Sequence, residues 1–181
     1  MADIITCLPA DGVSLAEARA AIDRFRGKTF INAYTGISAQ LSSSAKGKLV
    51  SNKATAKSKA NGYTRKQHNA LAANIDRIYV AARLVSSNPD RNGDVNIVSI
   101  KRFATKVSFG DKSAIAWITV KESRQHGHHI YSVEAIKLGT LDRKVEVVSG
   151  NTPHASSVPT QNIIAKVFQR IKRMFPIFKT E

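Results

Sequence analysis

The chain has 181 residues, 43% of them hydrophobic, with a formal net charge of +15 and a pI near 10.3. That length supports one ordinary domain with a real core, and that charge creates a positive field suited to nucleic acid, anionic lipid or an acidic protein. The lone cysteine, Cys7, excludes an internal disulfide framework and a cysteine-based zinc site, and no apolar run approaches the roughly 20 residues a membrane span needs.

The first residues, MADIITCLPADG, lack the basic and long apolar regions of a secretory signal. Ser14-Leu15-Ala16-Glu17 is a capping box, and it predicts a helix from Leu15 to about Arg26 with Gly27 as its stop. Leu15, Ala18, Ile22 and Phe25 fall near one face of that helix. Lys28 to Asn32 and Ile37 to Leu41 read as short strands, joined by a turn at Tyr34-Thr35-Gly36. From Ser42 to Gly62 the chain is polar, with Lys46, Lys48, Lys53, Lys57 and Lys59. Ten bases and no acid occur between Asp23 and Asp76. The segment reads either as a flexible solvated loop or as an arm that contacts a nucleic-acid backbone. The missing acids favour the arm, because unpaired lysines neutralise phosphates and release counterions.

Thr64 to Gln67 is a second capping box. It opens a helix expected to run from Arg65 to about Ser86, with Leu71, Ile75, Tyr79 and Ala82 as its stripe and His68 in its first turn. Asn88 to Gly93 is turn-rich. Three alternating runs follow between Asn96 and Leu138, separated at Phe109-Gly110-Asp111-Lys112 and at Ser123 to Gly127. They predict an antiparallel meander. Ala114, Ala116, Ile118 and Val120 form an apolar face, and Ile115, Trp117, Thr119 and Lys121 the opposite one. Ser99, Lys101 and Phe103 share a face of the first run. The third run is mixed, as in a strand covered on both sides. Val145 to Val148 reads as an edge strand, Gly150 to Pro159 as a linker, and Gln161 to Phe175 as a basic amphipathic helix that docks on the core, binds a partner or lies on a membrane surface, docking being favoured because most such stripes face a core. The expected fold class is α+β, with helices packed on a small antiparallel meander. One domain spans 1–150: helix and hairpin 14–42, basic segment 43–63, helix plus sheet 64–148. Linker and basic helix occupy 151–181.

No GxxxxGK[ST], GxGxxG, HExxH or CxxC string is present. Scarce acids argue against a carboxylate-rich two-metal nuclease. His126-Gly127-His128-His129 invites a metal reading, but His128 and His129 point to opposite faces if extended, and no third-ligand motif stands nearby. No metal site is expected. A metal-free set is the better candidate. Lys101, Trp117, Thr119 and Lys121 would share one sheet face, and His68 would reach it from the helix. Cleavage of RNA by its own 2′-OH needs a base, an acid and cations for the phosphorane charge. His and Lys can supply these, Thr can add a hydrogen bond, and Trp can stack a base. For each residue the alternative stays open that Trp117 is core and the lysines are merely solvated.

The order of a basic helix, IKRFA, AWITVKES and HHIYSVEAIK resembles the barnase/EndoU/colicin/RelE-like superfamily of small endoribonucleases. The likeness covers Arg65 to Leu138, and is nearest to versions in phage and polyvalent proteins and in toxin tips of contact-dependent inhibition systems. The resemblance implies helices on a four-stranded antiparallel sheet. It implies cleavage of RNA, often tRNA, without metal or cofactor, leaving a 2′,3′-cyclic phosphate. It maps catalytic roles onto His68, Lys101, Thr119, Lys121, Tyr131 and Ser132, with Lys66 beside His68, and a structural role onto Glu134. RNA contacts are expected from Lys46, Lys48, Lys53, Lys57, Lys59, Arg65, Lys66, Arg102 and Trp117. A toxin would also have an acidic immunity partner and act in the cytoplasm of a producing or target bacterial cell. Two other readings remain: a non-catalytic nucleic-acid-binding module, and an ADP-ribosyltransferase-like effector, for which no convincing paired-Glu motif is found.

Overall fold

A computed structural model describes residues 6–42, 44–125 and 128–140. In chain order the elements are β1 (Thr6–Leu8), α1 (Leu15–Arg24), β2 (Thr29–Ile31), β3 (Ser38–Leu41), α2 (Ala45–Leu49), α3 (Asn52–Lys59), α4 (Arg65–Ala73), α5 (Ile75–Ala81), β4 (Arg83–Asn88), β5 (Ile97–Phe109), β6 (Lys112–Gln125) and β7 (His128–Gly139). The chain divides into two compact units, Met1–Leu141 and Asp142–Glu181. The expected strand at Val145 to Val148, the linker and the basic C-terminal helix lie outside the described residues.

Both capping boxes form. Ser14 Oγ accepts from the Glu17 amide, and Glu17 Oε2 accepts from the Ser14 amide at 2.7 Å. Thr64 and Gln67 do the same at the start of α4. The helix expected to run to Ser86 is shorter and broken. Asn74 leaves helical geometry at φ −117°, and its side-chain amide donates back to the Ala70 carbonyl at 2.9 Å. After α5, Ala82 is extended and Arg83 to Asn88 becomes strand β4. Val85, Ser86, Ser87 and Asn88 are poor helix formers, and pairing along β5 decides their conformation.

The sheet has seven strands in the order β1-β5-β6-β7-β3-β2, and β4 also pairs with β5. Its centre is the expected antiparallel meander. Its flanks are not: β1 runs parallel to β5, and β3 runs parallel to β7. A two-residue turn at Gly110-Asp111, with Gly110 at φ 58°, sets Phe109 opposite Lys112 and so fixes the β5–β6 register. The inner face is apolar, as the alternation predicted. Phe103, Val107, Ala114, Ala116, Ile118, Val120, Val133 and Leu138 are buried there against Leu71, Ile75, Ile78 and Tyr79 of the helices. Tyr79 meets Phe103 edge to face, with ring centroids 5.2 Å apart.

The sheet is curled, and the turn after β2 meets the junction of α5 and β4. The Ala33 amide donates to the Val80 carbonyl at 3.0 Å, and the Arg83 guanidinium lies 4.0 Å from the centre of the Tyr34 ring. Asn32, fully buried, ties the end of β2 to the end of α5.

The basic segment is helical and packed. β3 pairs only with Tyr131 to Val133 of β7. Further along, the Leu138 amide donates to Ser58 Oγ at 3.0 Å, and Asn61 Nδ2 donates to the Leu138 carbonyl at 2.7 Å. Helix α3 and the turn after it thus satisfy an edge that has no neighbouring strand there among the described residues, which is one way of protecting it. Ala45, Leu49 and Val50 are buried, Lys46 pairs with Asp23, and Lys48 pairs with Glu134 at 2.6 Å. The expected loose arm is therefore an ordered edge cover. Lys53, Lys57 and Lys59 remain exposed on it.

The loop before α1 approaches α4 more closely than a side chain allows. Gly12 has φ 74°, and a Cβ there would lie 2.1 Å from the Lys66 carbonyl carbon. The Val13 amide donates to the same carbonyl at 3.0 Å. Gly12→Ala is expected to destabilise the domain by about 2 kcal/mol or more, read as a lower urea midpoint at unchanged m-value. A wild-type midpoint would mean that this approach does not exist in solution.

Candidate active site

At one end of the sheet the inner face changes from apolar to polar. The register that sets Phe103 opposite Ile118 also sets Lys101 opposite Val120 and Ser99 opposite Glu122. On the other side, Glu122 stands opposite Tyr131, and Arg124 opposite His129. Ser99, Lys101, Glu122, Tyr131 and His129 thus arrive on one face from three neighbouring strands.

Glu122 is the centre. Its side chain is 8% exposed and each carboxylate oxygen takes two donors. Oε2 accepts from Ser99 Oγ at 2.6 Å and from Lys101 Nζ at 2.9 Å. Oε1 accepts from His129 Nδ1 at 2.6 Å and from the Tyr131 hydroxyl at 3.0 Å. Burial pushes the carboxyl up, but the bonds from Ser99, Lys101, His129 and Tyr131 outweigh it and hold the pKa at about 2. Burial, with the Glu122 hydrogen bond and charge, pushes the Tyr131 phenol above its ordinary value. Lys101 is also fixed from β4, where Nζ donates to Ser87 Oγ at 3.1 Å.

The His129 side chain is 43% exposed. Its Nδ1–H is engaged by the carboxylate, so in the neutral ring the lone pair sits on Nε2. The cluster therefore offers a base oriented by a buried acid, beside an ammonium and a phenol. Among the described residues no three His, Cys, Asp or Glu side chains group as metal ligands.

The structure separates the residues singled out from the sequence. Lys101 and Tyr131 enter the cluster. Trp117, Thr119 and Lys121 lie on the opposite face, with Arg102 opposite Thr119 and Ser132 opposite Lys121. The expectation that Lys101 shares their face is corrected by the two-residue turn, which puts it opposite Val120. Lys121 Nζ comes within 3.9 Å of Glu134, the extra residue of a bulge in β7. Arg65 donates to Asn52 Oδ1 at 2.8 Å, and Lys66 is exposed beside it.

His68 is fully buried among α2, α3 and β7. Nε2 lies 2.7 Å from the Leu49 carbonyl, and Nδ1 lies 2.8 Å from Ser58 Oγ. The carbonyl can only accept, so Nε2 carries the proton and Nδ1 accepts from Ser58, whose oxygen takes the Leu138 amide. Every hydrogen-bonding group in this chain is satisfied by a neutral ring. Burial, aided by the Arg65 charge, pushes the His68 pKa below its ordinary 6.5, against the opposing pull of the Leu49 bond. Below pH 6.5 the unfolded chain therefore binds the proton more readily than the folded one. The stability His68 contributes is complete above pH 6.5 and is lost as pH falls beneath it. In an NMR titration the His68 ring is expected to stay neutral below pH 6.5, and a ring titrating at or above that value would refute the neutral assignment.

Glu122 and Ser99 were not selected from the sequence, and His129 was noticed only as one of the run His126-Gly127-His128-His129, any of which could serve as an acid or base. The signal for Glu122 was present: it continues the apolar series Ala114, Ala116, Ile118, Val120. A carboxylate on a core face must find donors. His129 alternates with Tyr131 and Val133 in the same way.

Fold and site together define an α+β domain whose curled sheet ends in a carboxylate-centred polar cluster. The chain belongs to the family described as Large polyvalent protein-associated domain 3, whose profile matches residues 14–131. No curated protein and no solved structure matches the chain. The matched segment begins at the cap of α1 and ends at Tyr131, so it contains all five residues of the cluster. The polyvalent-protein setting expected from the sequence is thereby shown.

Proposed function

We propose that this polyvalent-protein-associated domain is an effector that cleaves RNA without a metal ion, by attack of a 2′-OH on the adjacent phosphate. The Glu122–His129 pair, with Lys101 and Tyr131 on the same carboxylate, carries the reading. His129 Nε2 takes the 2′-OH proton as the oxygen attacks phosphorus. Lys101 offsets the charge that gathers on the phosphorane oxygens. The P–O5′ bond breaks and the leaving oxygen takes a proton from water, and the proton that His129 took from the 2′-OH neutralises the hydroxide left behind. The products are a 2′,3′-cyclic phosphate and a 5′-hydroxyl. The net charge of +15 favours a polyanionic substrate, tRNA among the candidates, and an acidic immunity protein would suit the same field. In this reading His68 holds the fold together, and chemistry stays with the cluster.

The test is digestion of tRNA and total RNA in EDTA. Cleavage should survive chelation, leave cyclic phosphate ends and spare DNA of the same sequence. Intact RNA under all conditions, including with cell extract added, would overturn the proposal. Salt-sensitive binding without cleavage would point to a nucleic-acid-binding module instead.

A further inference from the structure

The outer face of the sheet carries a second group of residues, which the cluster does not use. Thr119 stands between Arg102 and Ala135, and Trp117 stands between Ala104 and Lys137. The row between them, Phe103–Ile118–Ile136, is core, so these two rows face away from it. Trp117 is partly buried, and Lys137 Nζ lies 6.0 Å from its ring centre. Gly139 leaves room for the indole over β7: a Cβ there would meet Trp117 Nε1 at 3.0 Å. From the neighbouring α3, Lys57 stands close enough to act on Lys137. Burial, then Arg102 and Lys57, push the Lys137 ammonium below its ordinary value.

The acids of these strands are committed elsewhere. β5 has none, the one in β6 is Glu122 on the inner face, and the one in β7 is Glu134, paired with Lys48. Among the described residues Arg102, Lys57 and Lys137 have no acidic partner, so three cations act on one another uncompensated, and Lys137 among them stands 6.0 Å from the Trp117 ring. A bound anion relieves that repulsion. None of the exposed large hydrophobic side chains among the described residues lies on these rows, so the face lacks the apolar wedge a lipid surface would take. Cations set around an aromatic side chain are what a single strand uses, with phosphates on the charges and a base on the ring.

We propose that the outer face of β5, β6 and β7 docks a single-stranded nucleic acid, its phosphates on Arg102, Lys137 and Lys57 and a base against Trp117. This deepens the ribonuclease reading by giving the strand a track outside the catalytic cluster, and it uses different residues, so the two can fail separately.

The probe is a labelled oligothymidylate of about 12 nucleotides, long enough for one such surface and lacking the 2′-OH that cleavage needs. Its affinity, followed by anisotropy, should fall with salt at a log–log slope near −2, about 0.7 for each of three cations. Arg102→Gln, Lys137→Gln and Lys57→Gln, all exposed sites, should each reduce the slope by about 0.7, and together weaken binding at least roughly tenfold. Trp117→Leu should weaken binding about tenfold and leave the slope unchanged. His129→Ala should lower RNA cleavage by about two to four orders of magnitude while leaving oligothymidylate binding intact. Wild-type affinity in the triple glutamine variant would overturn the assignment, as would capture of phosphatidylglycerol vesicles in place of the oligonucleotide.

Discussion

His129→Ala is expected to lower RNA cleavage by about two to four orders of magnitude while leaving the fold close to wild type. The imidazole is the most exposed member of the cluster, at 43%, so its removal deletes a base without opening the core. Glu122→Gln should lose activity too, but for a different reason, and it should lose stability as well. A carboxamide offers one acceptor oxygen where the carboxylate offers two. Either the Ser99–Lys101 pair or the His129–Tyr131 pair then faces an N–H donor. Removing one partner of a buried charge pair costs about 3 kcal/mol or more. The pH dependence separates this from simple repacking. The Glu122 carboxyl sits at about 2 in the folded chain against an ordinary 4.5. The unfolded chain therefore takes up the proton first, so the contribution is complete above pH 4.5 and is lost as pH falls towards 2. That interval corresponds to about 3 kcal/mol. Urea denaturation should show wild type and Glu122→Gln far apart at pH 7 and converging near pH 2. A gap that stays constant across that range would remove Glu122 from the centre of the cluster.

The sequence made the helix starts and the apolar alternation legible because both are local. Ser14-x-x-Glu17 and Thr64-x-x-Gln67 carry their own hydrogen bonds, and Ala114, Ala116, Ile118 and Val120 share a face in any extended strand. What was not legible depended on partners far away in the chain. Thr6 to Leu8 is too short to register as a strand, and exists because β5 offers it an edge. Arg83 to Ser86 read as the end of the helix that starts at Arg65, yet Arg83 to Asn88 pairs with β5 instead. Ser42 to Gly62 reads as solvated by composition, but its few apolar residues suffice once β7 presents an open edge. The site was split for the same reason. The alternation of β5 and β6 was read correctly, that of β7 is broken by the bulge at Glu134, and which face of β5 matches which face of β6 is decided by the length of the Gly110-Asp111 turn. A shift of one residue would have placed Lys101 with Trp117 and Thr119. His68 looked catalytic because it opens a basic helix. Its neighbours Ser58, Leu49 and Leu138 are 10, 19 and 70 residues away in sequence, and they make it part of the core.

Asn32 joins the β2–β3 turn to the end of α5, and its replacement should be among the most damaging in the domain. The residue is fully buried, and all of its side-chain hydrogen-bonding capacity is used. Nδ2 donates to the Tyr79 carbonyl at 2.7 Å and to the Ala82 carbonyl at 2.6 Å. Oδ1 accepts from the Tyr34 amide at 3.2 Å, the Thr35 amide at 3.0 Å and the Thr35 hydroxyl at 2.9 Å. One half of the amide thus shapes the β2–β3 turn, and the other caps two carbonyls at the C-terminal end of α5, of which that of Tyr79 also accepts from the Ala82 amide. Asn32→Ala removes the side-chain donor from both carbonyls and the acceptor from the turn, and should cost about 3–5 kcal/mol. Asn32→Asp keeps the shape but turns a second oxygen towards the two carbonyls. At pH 7 it should be at least as destabilising as alanine. Protonation of the aspartate restores one donor, so the deficit of Asp relative to Ala should narrow as pH falls through the carboxyl range. Thermal melts of the two variants at neutral and acid pH make the comparison. An aspartate variant as stable as wild type at pH 7 would mean that the turn is held to the end of α5 by another contact, with the Arg83–Tyr34 stack the next to examine.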